Sequence, residues 1–434
     1  MEPDKELLEL ETQLRNRYLL YDTTVQWFME KAAFGSKSSR QWAIDKLRMI
    51  LEAESIEDLR TGDVYRPLAP KQLIDSGDLH LYNQVDGIPW RIPVNALKRG
   101  LFLTGPQEGG KTYFLIYICS QLNEFSPPIP FFILDPKQEL KDWAKYLNAV
   151  YVEISDISFD LSPPPGLTYE QFLPALMPQL ADILGLIYGT EILQQAAVIC
   201  IELRNQYIQN TGQTTEISLL DIHNAVPFVK ESSKGRRLGY REAVSTSLGR
   251  ILSGSGNLFK CRKGVNLSTL FNHNVILGTR SITDDFAAKF LAMFLLYWLY
   301  ESERFSPPSD HAKRALIIDD ASRYLSVRPG FDASATTSSF TNIYTRLRSS
   351  GNCVITTSQI PHLADPGILA LSHSVICVGP LHYGKDTRLL ADMMGLDEQQ
   401  RLGLSKLKKR EVIGRAAGTD WAGFVHGYTV DVSK

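Results

Sequence analysis

The chain has 434 residues and a net charge of −2, from 46 lysines and arginines against 48 aspartates and glutamates. Hydrophobic residues make up 44% and charged residues 22%, so the composition excludes global disorder. The near-neutral balance excludes a histone-like protein that binds nucleic acid by bulk charge, although it is compatible with a localised basic groove. The length predicts two or three domains, or one large α/β unit.

The sequence lacks the signals of a membrane or secreted protein. It has no run of about 18 apolar residues, and its most apolar stretch, residues 290–300, predicts a buried core helix. The first residues do not follow the basic-then-apolar order of a signal peptide. The 5 cysteines are far apart and form no CxxC pair, which argues against a disulfide framework and a structural zinc site. We therefore expect a cytoplasmic protein, with peripheral docking at the inner face of the membrane as an open alternative.

The pattern of elements changes along the chain. Residues 1–60 are charged and carry leucines at three-to-four spacing, which predicts at least two amphipathic helices, and residues 65–95 contain short strand-like pieces. Apolar strands then alternate with helices, except that residues 169–229 predict helices alone. This alternation predicts a mainly parallel sheet with helices on both faces and an all-helical insertion. The predicted strands are residues 101–104, 131–135, 149–154, 274–278, 315–319, 353–357 and 374–378.

Residues 105–112 read GPQEGGKT, which matches the phosphate-loop pattern GxxxxGK[ST]. Glycines let backbone N–H groups face phosphate oxygens, and the N-terminus of the following helix adds the favourable end of its dipole. In such a loop Lys111 reaches the β- and γ-phosphates, and the Thr112 hydroxyl ligates Mg²⁺. A surface turn is the alternative, but the preceding strand and following helix favour a site for ATP and Mg²⁺. The predicted nucleotide-binding residues are Gly105, Pro106, Gln107, Glu108, Gly109, Gly110, Lys111, Thr112 and Tyr113.

A phosphate loop also requires an acidic residue on a neighbouring strand, and the sequence ALIIDD at residues 315–320 offers two. We expect Asp319, at the strand end, to hold Mg²⁺ through water, and Asp320 to orient or deprotonate the attacking water. The alternative is a strand that ends in two solvated carboxylates. The helical insertion explains the long separation between Lys111 and Asp319.

Four motifs occur in a characteristic order: GPQEGGKT, ILDPKQEL, ALIIDDASRYL and GNCVITTSQIP, at residues 105–112, 133–140, 315–325 and 351–361. This order resembles the FtsK–HerA superfamily of hexameric DNA-pumping ATPases. Within it, the sequence is most similar to the type IV secretion (TraG-like) coupling proteins and the HerA-like DNA translocases. Residues 248–279 also resemble the segment leading into the family's mid-sheet strand. The resemblance covers about residues 80–432 and implies a RecA-like P-loop NTPase core of the α/β class.

The resemblance and the pattern of elements together predict four regions. Residues 1–79 are the N-terminal helical adaptor region, and residues 80–166 are the first part of the RecA-like ATPase core. Residues 167–234 are the all-helical insertion, and residues 235–434 are the second part of the core.

The resemblance implies roles for two further residues. Gln359, at the end of the fourth motif, would sense the γ-phosphate and couple hydrolysis to movement. Arg348 would act in trans as a finger on the phosphates of a neighbouring subunit, with Arg346 as the competing candidate. The alternatives are a strand-end cap for Gln359 and a solvated salt-bridge partner for each arginine.

The sequence departs from the family pattern at several points. Asp320 stands where the family usually has glutamate, and its side chain is one methylene shorter, which predicts slower turnover. Gln138 replaces the glycine of the coupling-protein Asp-Pro-Lys-Gly-Glu segment. No transmembrane pair is recognisable before the core, so we expect residues 1–60 to serve as an adaptor to another protein.

The clearest basic stretch, KESSKGRRLGYR at residues 230–241, follows the helical insertion. Its glycines and serines predict a loop that could line a pore and contact DNA backbone phosphates without reading sequence. A solvated linker is the equal alternative. The candidate nucleic-acid-binding residues are Lys230, Lys234, Arg236, Arg237 and Arg241.

The leading hypothesis from the resemblance is an ATP-driven motor that moves double-stranded DNA through a homohexameric ring. A second hypothesis is a coupling ATPase that recruits a protein or nucleoprotein substrate to a secretion channel, with residues 1–60 docking on a partner. A third is an assembly switch that binds ATP and barely hydrolyses it. Asp320 in place of glutamate keeps this third hypothesis open.

Overall fold

The structure is a computed structural model that describes residues 5–16, 20, 23–61, 64–65, 68–186, 189–229, 238–325 and 339–432. The chain divides into two compact units. One unit combines Met1–Pro93 with Ile376–Val430, and the other combines Val94–Val375 with Asp431–Lys434. The prediction of four regions, with boundaries after residues 79, 166 and 234, remains a prediction.

The described residues form eleven strands, most of which are four or five residues long. They are β1 (Leu79–Gln84), β2 (Pro89–Ile92), β3 (Leu101–Thr104), β4 (Phe131–Asp135), β5 (Val150–Glu153), β6 (Val275–Gly278), β7 (Arg314–Ile318), β8 (Asn352–Ser358), β9 (Ser374–Val378), β10 (Glu411–Arg415) and β11 (Val425–Tyr428).

The same residues form sixteen α-helices. They are α1 (Lys5–Asn16), α2 (Thr23–Phe34), α3 (Lys37–Thr61), α4 (Lys71–Ile74), α5 (Lys111–Glu124), α6 (Tyr169–Leu184), α7 (Thr190–Thr211), α8 (Leu219–Ala225), α9 (Leu238–Gly254), α10 (Leu267–Phe271), α11 (Asp285–Ser302), α12 (Ala321–Tyr324), α13 (Ser339–Ser349), α14 (Pro366–Leu371), α15 (Gly384–Met394) and α16 (Glu398–Gly403).

The unit of residues 94–375 is built on a parallel sheet with the strand order β3-β8-β7-β4-β6-β5. All residues of β3, β4, β6 and β8 are buried, as expected for a sheet covered by helices on both faces. Strand β8 lies between β3 and β7 and pairs with both. Because parallel strands end at one edge of the sheet, the segments after β3, β7 and β8 meet there.

Helix α11 is the central helix of this unit, and most of its side chains are buried. The Asp284 carboxylate caps it by accepting hydrogen bonds from the N–H groups of Phe286 and Ala287, at 2.8 and 3.2 Å. The prediction of a buried core helix at residues 290–300 is confirmed. Across the described residues, every helix falls short of the length or the apolar character that a bilayer crossing requires.

The described part of residues 169–229 forms helices α6, α7 and α8 and contains no strand. Helix α6 begins with a capping box in which Thr168 and Gln171 satisfy each other's backbone N–H groups. Its leucines and phenylalanine join α7, α9 and α11 in one apolar core. The sequence predicted this helical stretch correctly because it lacks any period-two apolar pattern.

The other unit contains an N-terminal helical bundle and an antiparallel sheet. Helices α1, α2 and α3 share a small core that includes Leu10, Leu14, Ile44 and Leu47. Strand β1 pairs with β2 and β11, and β11 pairs with β10, all antiparallel.

The predicted α/β class with a mainly parallel sheet and many helices is confirmed. The antiparallel strands β10 and β11 were not predicted. Each has a glycine in its interior and is short, which weakens the alternating pattern by which strands are recognised in sequence.

Candidate nucleotide-binding site

The phosphate loop joins β3 to α5, as the sequence predicted. Gly105 and Gly110 have φ angles of 148° and 119°, which side chains with a Cβ atom rarely adopt. Helix α5 begins at Lys111, directly after Gly110. Its free N–H groups and positive dipole end therefore face the concave side of the loop, where an anion would bind.

Lys111 is folded back across its own loop. Its Nζ donates hydrogen bonds to the carbonyl oxygens of Gly105 and Pro106, at 2.7 and 2.6 Å. The pKa of the Lys111 ammonium is lowered to about 8. Burial is the largest cause of this decrease, the Asp319 carboxylate opposes it, and the nearby Lys137 ammonium adds to it. These effects indicate that Asp319 and Lys137 lie close enough to influence the same charge.

Thr112 is the second residue of α5, and its hydroxyl already has a partner. Oγ1 donates a hydrogen bond of 2.6 Å to Oε2 of Glu139. Glu139 lies 27 residues further along the chain, in the turn that follows β4. The two elements therefore meet at the phosphate loop.

The turn after β4 is held by the side chain of Asp135, which is completely buried. Its carboxylate accepts hydrogen bonds from the N–H groups of Lys137, Glu139 and Leu140, at 3.3, 3.3 and 2.9 Å. Burial raises the pKa of Asp135, and these N–H groups oppose the increase. Within the turn, Gln138 has a φ of 60°.

Asp319 follows β7 and faces the neighbouring strand β8. The Thr357 hydroxyl donates to Asp319 Oδ1 at 2.5 Å, while the Asp319 N–H donates to the carbonyl oxygen of Leu134 at 3.2 Å. Burial raises the pKa of the Asp319 carboxyl to about 6, although the Thr357 hydrogen bond and Lys137 both lower it. A bound cation would favour the ionised form and so oppose this burial effect.

Asp320 has a φ of 56°, in the left-handed region, so its side chain leaves the chain in a different direction from that of Asp319. Its N–H donates to Thr357 Oγ1 at 3.0 Å, and Ser322 Oγ donates to its Oδ1 at 2.8 Å. Lys137 Nζ lies 3.3 Å from its Oδ2. The carboxylate that was predicted to handle the attacking water therefore already has two partners.

The residues at this edge fit a magnesium ion that arrives with a nucleotide. Mg²⁺ prefers oxygen ligands and is usually held by one or two protein side chains together with substrate phosphates. The Thr112 hydroxyl and the Asp319 carboxylate are ligands of that kind. In the described part of the chain, no group of three or more His, Cys, Asp and Glu residues could hold a metal ion by itself.

The other predicted site residues lie at different distances from this centre. Gln359 directly follows β8 and is half-buried at the same edge of the sheet. Arg348, near the end of α13, donates from Nε to the carbonyl oxygen of Lys98 at 2.9 Å and from Nη1 to that of Leu371 at 3.3 Å. Arg346 is exposed, and its Nη1 donates to the Tyr300 hydroxyl at 2.7 Å.

Tyr113, the last of the predicted nucleotide-binding residues, belongs to an aromatic group beside the phosphate loop. Its ring packs edge to face on Trp143 with 5.8 Å between centroids, and Trp143 packs in the same way on Tyr146 at 5.6 Å. Tyr113 and Tyr146 are both exposed. No sequence pattern predicts that these three rings lie together.

Four of the five predicted nucleic-acid-binding residues lie outside the described residues: Lys230, Lys234, Arg236 and Arg237. The fifth, Arg241, lies in the first turn of α9, and its Nη1 donates to the carbonyl oxygen of Pro227 at 3.2 Å.

Sequence reasoning did not assign roles to Thr357, Lys137 and Glu139. The last two belong to the ILDPKQEL motif at residues 133–140, so the resemblance pointed to their segment without indicating which atoms they contact. Thr357 is one of two adjacent threonines in β8, and only the fold distinguishes the one that faces Asp319.

The strand order and the loop between β3 and α5 define a P-loop NTPase fold of the α/β class. Among solved structures, VirB4 of Thermoanaerobacter pseudethanolicus is similar to this chain, with a TM-score of 0.60 and 15% identity, covering 83% of this chain and 98% of that chain. The bacterial conjugative coupling protein TrwBdeltaN70, in its unbound form, has a TM-score of 0.56 and 12% identity, covering 81% and 88%. TrwB in complex with ADP and Mg²⁺ gives a TM-score of 0.56 and 12% identity over 81% and 89%.

At these identities the likeness shows the fold, and it confirms at that level the resemblance inferred from the four motifs. No protein-family model matches the sequence. No curated protein matches it either.

Proposed function

We propose that this protein is an ATP-hydrolysing motor that moves double-stranded DNA and works as a ring of identical subunits. The observation that carries the proposal is the meeting of three segments at one edge of a parallel sheet. Lys111 and Thr112 follow β3, Asp319 follows β7, and β8 lies between them and donates the Thr357 hydrogen bond to Asp319. P-loop NTPases use such an arrangement of a lysine, a hydroxyl and a carboxylate for phosphoryl transfer.

Each residue has a defined task in this proposal. Lys111 exchanges the carbonyl oxygens of its own loop for phosphate oxygens, and the N–H groups at the start of α5 bind the same phosphates. Thr112 and Asp319 would hold Mg²⁺, Asp319 through water, and the ion would supply positive charge next to the phosphates. Gln359, directly after β8, would sense whether a γ-phosphate is present, as the resemblance implies.

Asp320 orients the attacking water in this mechanism, but its carboxylate must first be released. Lys137 Nζ lies 3.3 Å from Oδ2 and Ser322 Oγ donates to Oδ1, so both carboxylate oxygens of Asp320 already have partners. This observation supports the alternative of an ATP-dependent switch with little turnover. A triphosphate would attract the Lys137 ammonium and thereby free Asp320.

The resemblance implies that an arginine acts in trans on the phosphates of a neighbouring subunit. The candidates are Arg348 and Arg346, and their contacts in the structure differ. Arg348 is half-buried and binds two carbonyl oxygens of its own unit, so its contacts favour an anchoring role. Arg346 is exposed and has a single hydrogen bond to a tyrosine hydroxyl. Arg346 would therefore need less rearrangement to reach a neighbouring subunit.

The proposal of DNA as the cargo comes from the motif order and from the basic residues between positions 230 and 241. The similar structures include a protein described as a conjugative coupling protein, and the likeness to it is one of fold. Peripheral docking at a membrane remains part of the proposal.

The N-terminal bundle supports the second alternative, a coupling ATPase with a docking partner. Trp27 and Trp42 are both about half exposed, and their rings pack edge to face with 6.0 Å between centroids. Phe34 is 89% exposed at the end of α2. Exposed aromatic side chains in one small bundle are typical of surfaces that bind other proteins.

The proposal is tested by ATP hydrolysis of the purified full chain with and without linear double-stranded DNA. The variant Lys111→Ala serves as the blank. A motor predicts turnover that DNA stimulates and that the variant lacks. ATP binding with negligible turnover in both conditions would contradict the motor and favour the switch, and DNA-independent turnover would favour the coupling ATPase.

A further inference from the structure

The hydrogen bond between Thr112 and Glu139 fixes the direction of a hydroxyl proton. A threonine hydroxyl has one proton to donate and two lone pairs, whereas an ionised carboxylate can only accept. At 2.6 Å between Oγ1 and Oε2, the proton of Thr112 therefore points towards Glu139. The lone pairs of Oγ1 are then directed away from Glu139 and are available to a cation.

Glu139 is brought to this position by a turn whose backbone is held at several points. The buried Asp135 carboxylate accepts the Glu139 N–H at 3.3 Å and the Leu140 N–H at 2.9 Å. The preceding residue, Gln138, donates from Nε2 to both carboxylate oxygens of Glu153, at 3.0 and 2.8 Å. The side chain of Glu139 itself is exposed, so it faces the open side of the phosphate loop.

From this geometry we infer that Glu139 is a positioning residue for the Mg²⁺ of the proposed nucleotide site, because it holds the Thr112 hydroxyl with its lone pairs free for the ion. The inference rests on the proposed function and adds a residue to it. Groups that accept a hydrogen bond from a metal ligand commonly change metal affinity by about 10- to 100-fold when they are removed. The alternative is that Glu139 acts as a latch: its hydrogen bond keeps the Thr112 hydroxyl away from the ion and so lowers the affinity for Mg²⁺.

The two possibilities differ in sign, so a titration of Mg²⁺ separates them. Binding of a fluorescent ATP analogue to the full chain is measured at increasing Mg²⁺ concentration. In Glu139→Ala we expect the half-saturating Mg²⁺ concentration to rise about tenfold. At saturating Mg²⁺, the affinity for the analogue should stay within about twofold of wild type. The matched control is Asp142→Ala, an exposed acid three residues further along.

Two further variants test whether the effect passes through the hydroxyl. Glu139→Gln keeps an acceptor oxygen at the same position and should stay within about threefold of wild type. In a Thr112→Val background, where the hydroxyl is absent, adding Glu139→Ala should cause no additional change. An equal shift in that background, or the same loss in the glutamine variant, would overturn the inference.

The remaining outcomes are also decisive. An unchanged or lowered Mg²⁺ requirement in Glu139→Ala would overturn the positioning role, and a lowered one would identify the latch. A wild-type protein that binds the analogue without any need for Mg²⁺ would overturn the inference while leaving nucleotide binding intact. A wild-type protein that binds no analogue would overturn the proposed site as well.

Discussion

Replacing Arg348 should destabilise the isolated protein, because its guanidinium joins two separate segments of the same unit. Nε donates to Lys98 at the end of the segment before β3, and Nη1 donates to Leu371 at the end of α14. Burial lowers the pKa of this arginine, but an arginine remains charged at neutral pH. Hydrogen bonds from a charged donor contribute about 1.5–3 kcal/mol each. Because the side chain is only half-buried and water can replace part of each bond, we expect Arg348→Ala to lower the free energy of unfolding by about 2–3 kcal/mol.

The assay is urea denaturation of the nucleotide-free protein at low concentration, where no ring is needed. Arg346→Ala is the control, since Arg346 is exposed and, among the described residues, its side chain contacts Tyr300 by a hydrogen bond and a cation–π contact at 5.5 Å. It should cost about 0.5–1 kcal/mol. If Arg348→Ala unfolds like wild type but abolishes ATP turnover in the assembled protein, the anchoring argument is wrong and the trans role is supported.

Three further predictions concern the candidate nucleotide-binding site, two of them its charges and one the backbone of the phosphate loop. Since burial lowers the pKa of Lys111 to about 8 and only the ammonium binds phosphate, affinity for an ATP analogue should fall as pH rises above about 8. Lys111→Arg should show no such fall, and an equally steep fall in that variant would refute this cause. The pKa of Asp319 is raised from 3.8 to about 6 in the folded state, so ionisation of its carboxyl lowers the free energy of unfolding as pH rises from about 4 to about 6. Asp319→Asn cannot ionise, and we expect it to be about 1–3 kcal/mol more stable than wild type at pH 7.5. Equal or lower stability of the asparagine variant in urea at that pH would contradict the burial argument. Finally, Gly110→Ala should weaken analogue binding by about tenfold, because a φ of 119° strains any residue with a Cβ atom; binding at wild-type strength would show that the loop tolerates another conformation.

The parallel sheet could be predicted because its strands are buried on both faces and appear as short apolar runs between helices. FFILD at residues 131–135 and ALII at residues 315–318 are of this kind. The phosphate loop could also be recognised from the sequence, since its glycines and lysine lie within eight consecutive residues, 105–112. The parallel strands and the phosphate loop could therefore be predicted from short stretches of contiguous sequence.

The contacts that complete the candidate site could not be predicted, because they join residues far apart in the chain. Thr357 donates to a carboxylate 38 positions earlier, and Thr112 donates to one 27 positions later. Neither pairing has a sequence signal, since threonine, aspartate and glutamate are ordinary residues in strands, helices and turns. The same holds for Arg348, whose contact with Lys98 spans 250 positions. Only the register of the parallel strands and the packing of α13 bring these groups together.

We propose that ATP hydrolysis at this site moves the protein along double-stranded DNA. Displacement of a triplex-forming strand from one end of a linear duplex by the full chain measures such movement. We expect displacement that requires ATP and Mg²⁺ and that is lost in Lys111→Ala. ATP turnover at an unchanged rate in the presence of the duplex, with the third strand left in place, would contradict it.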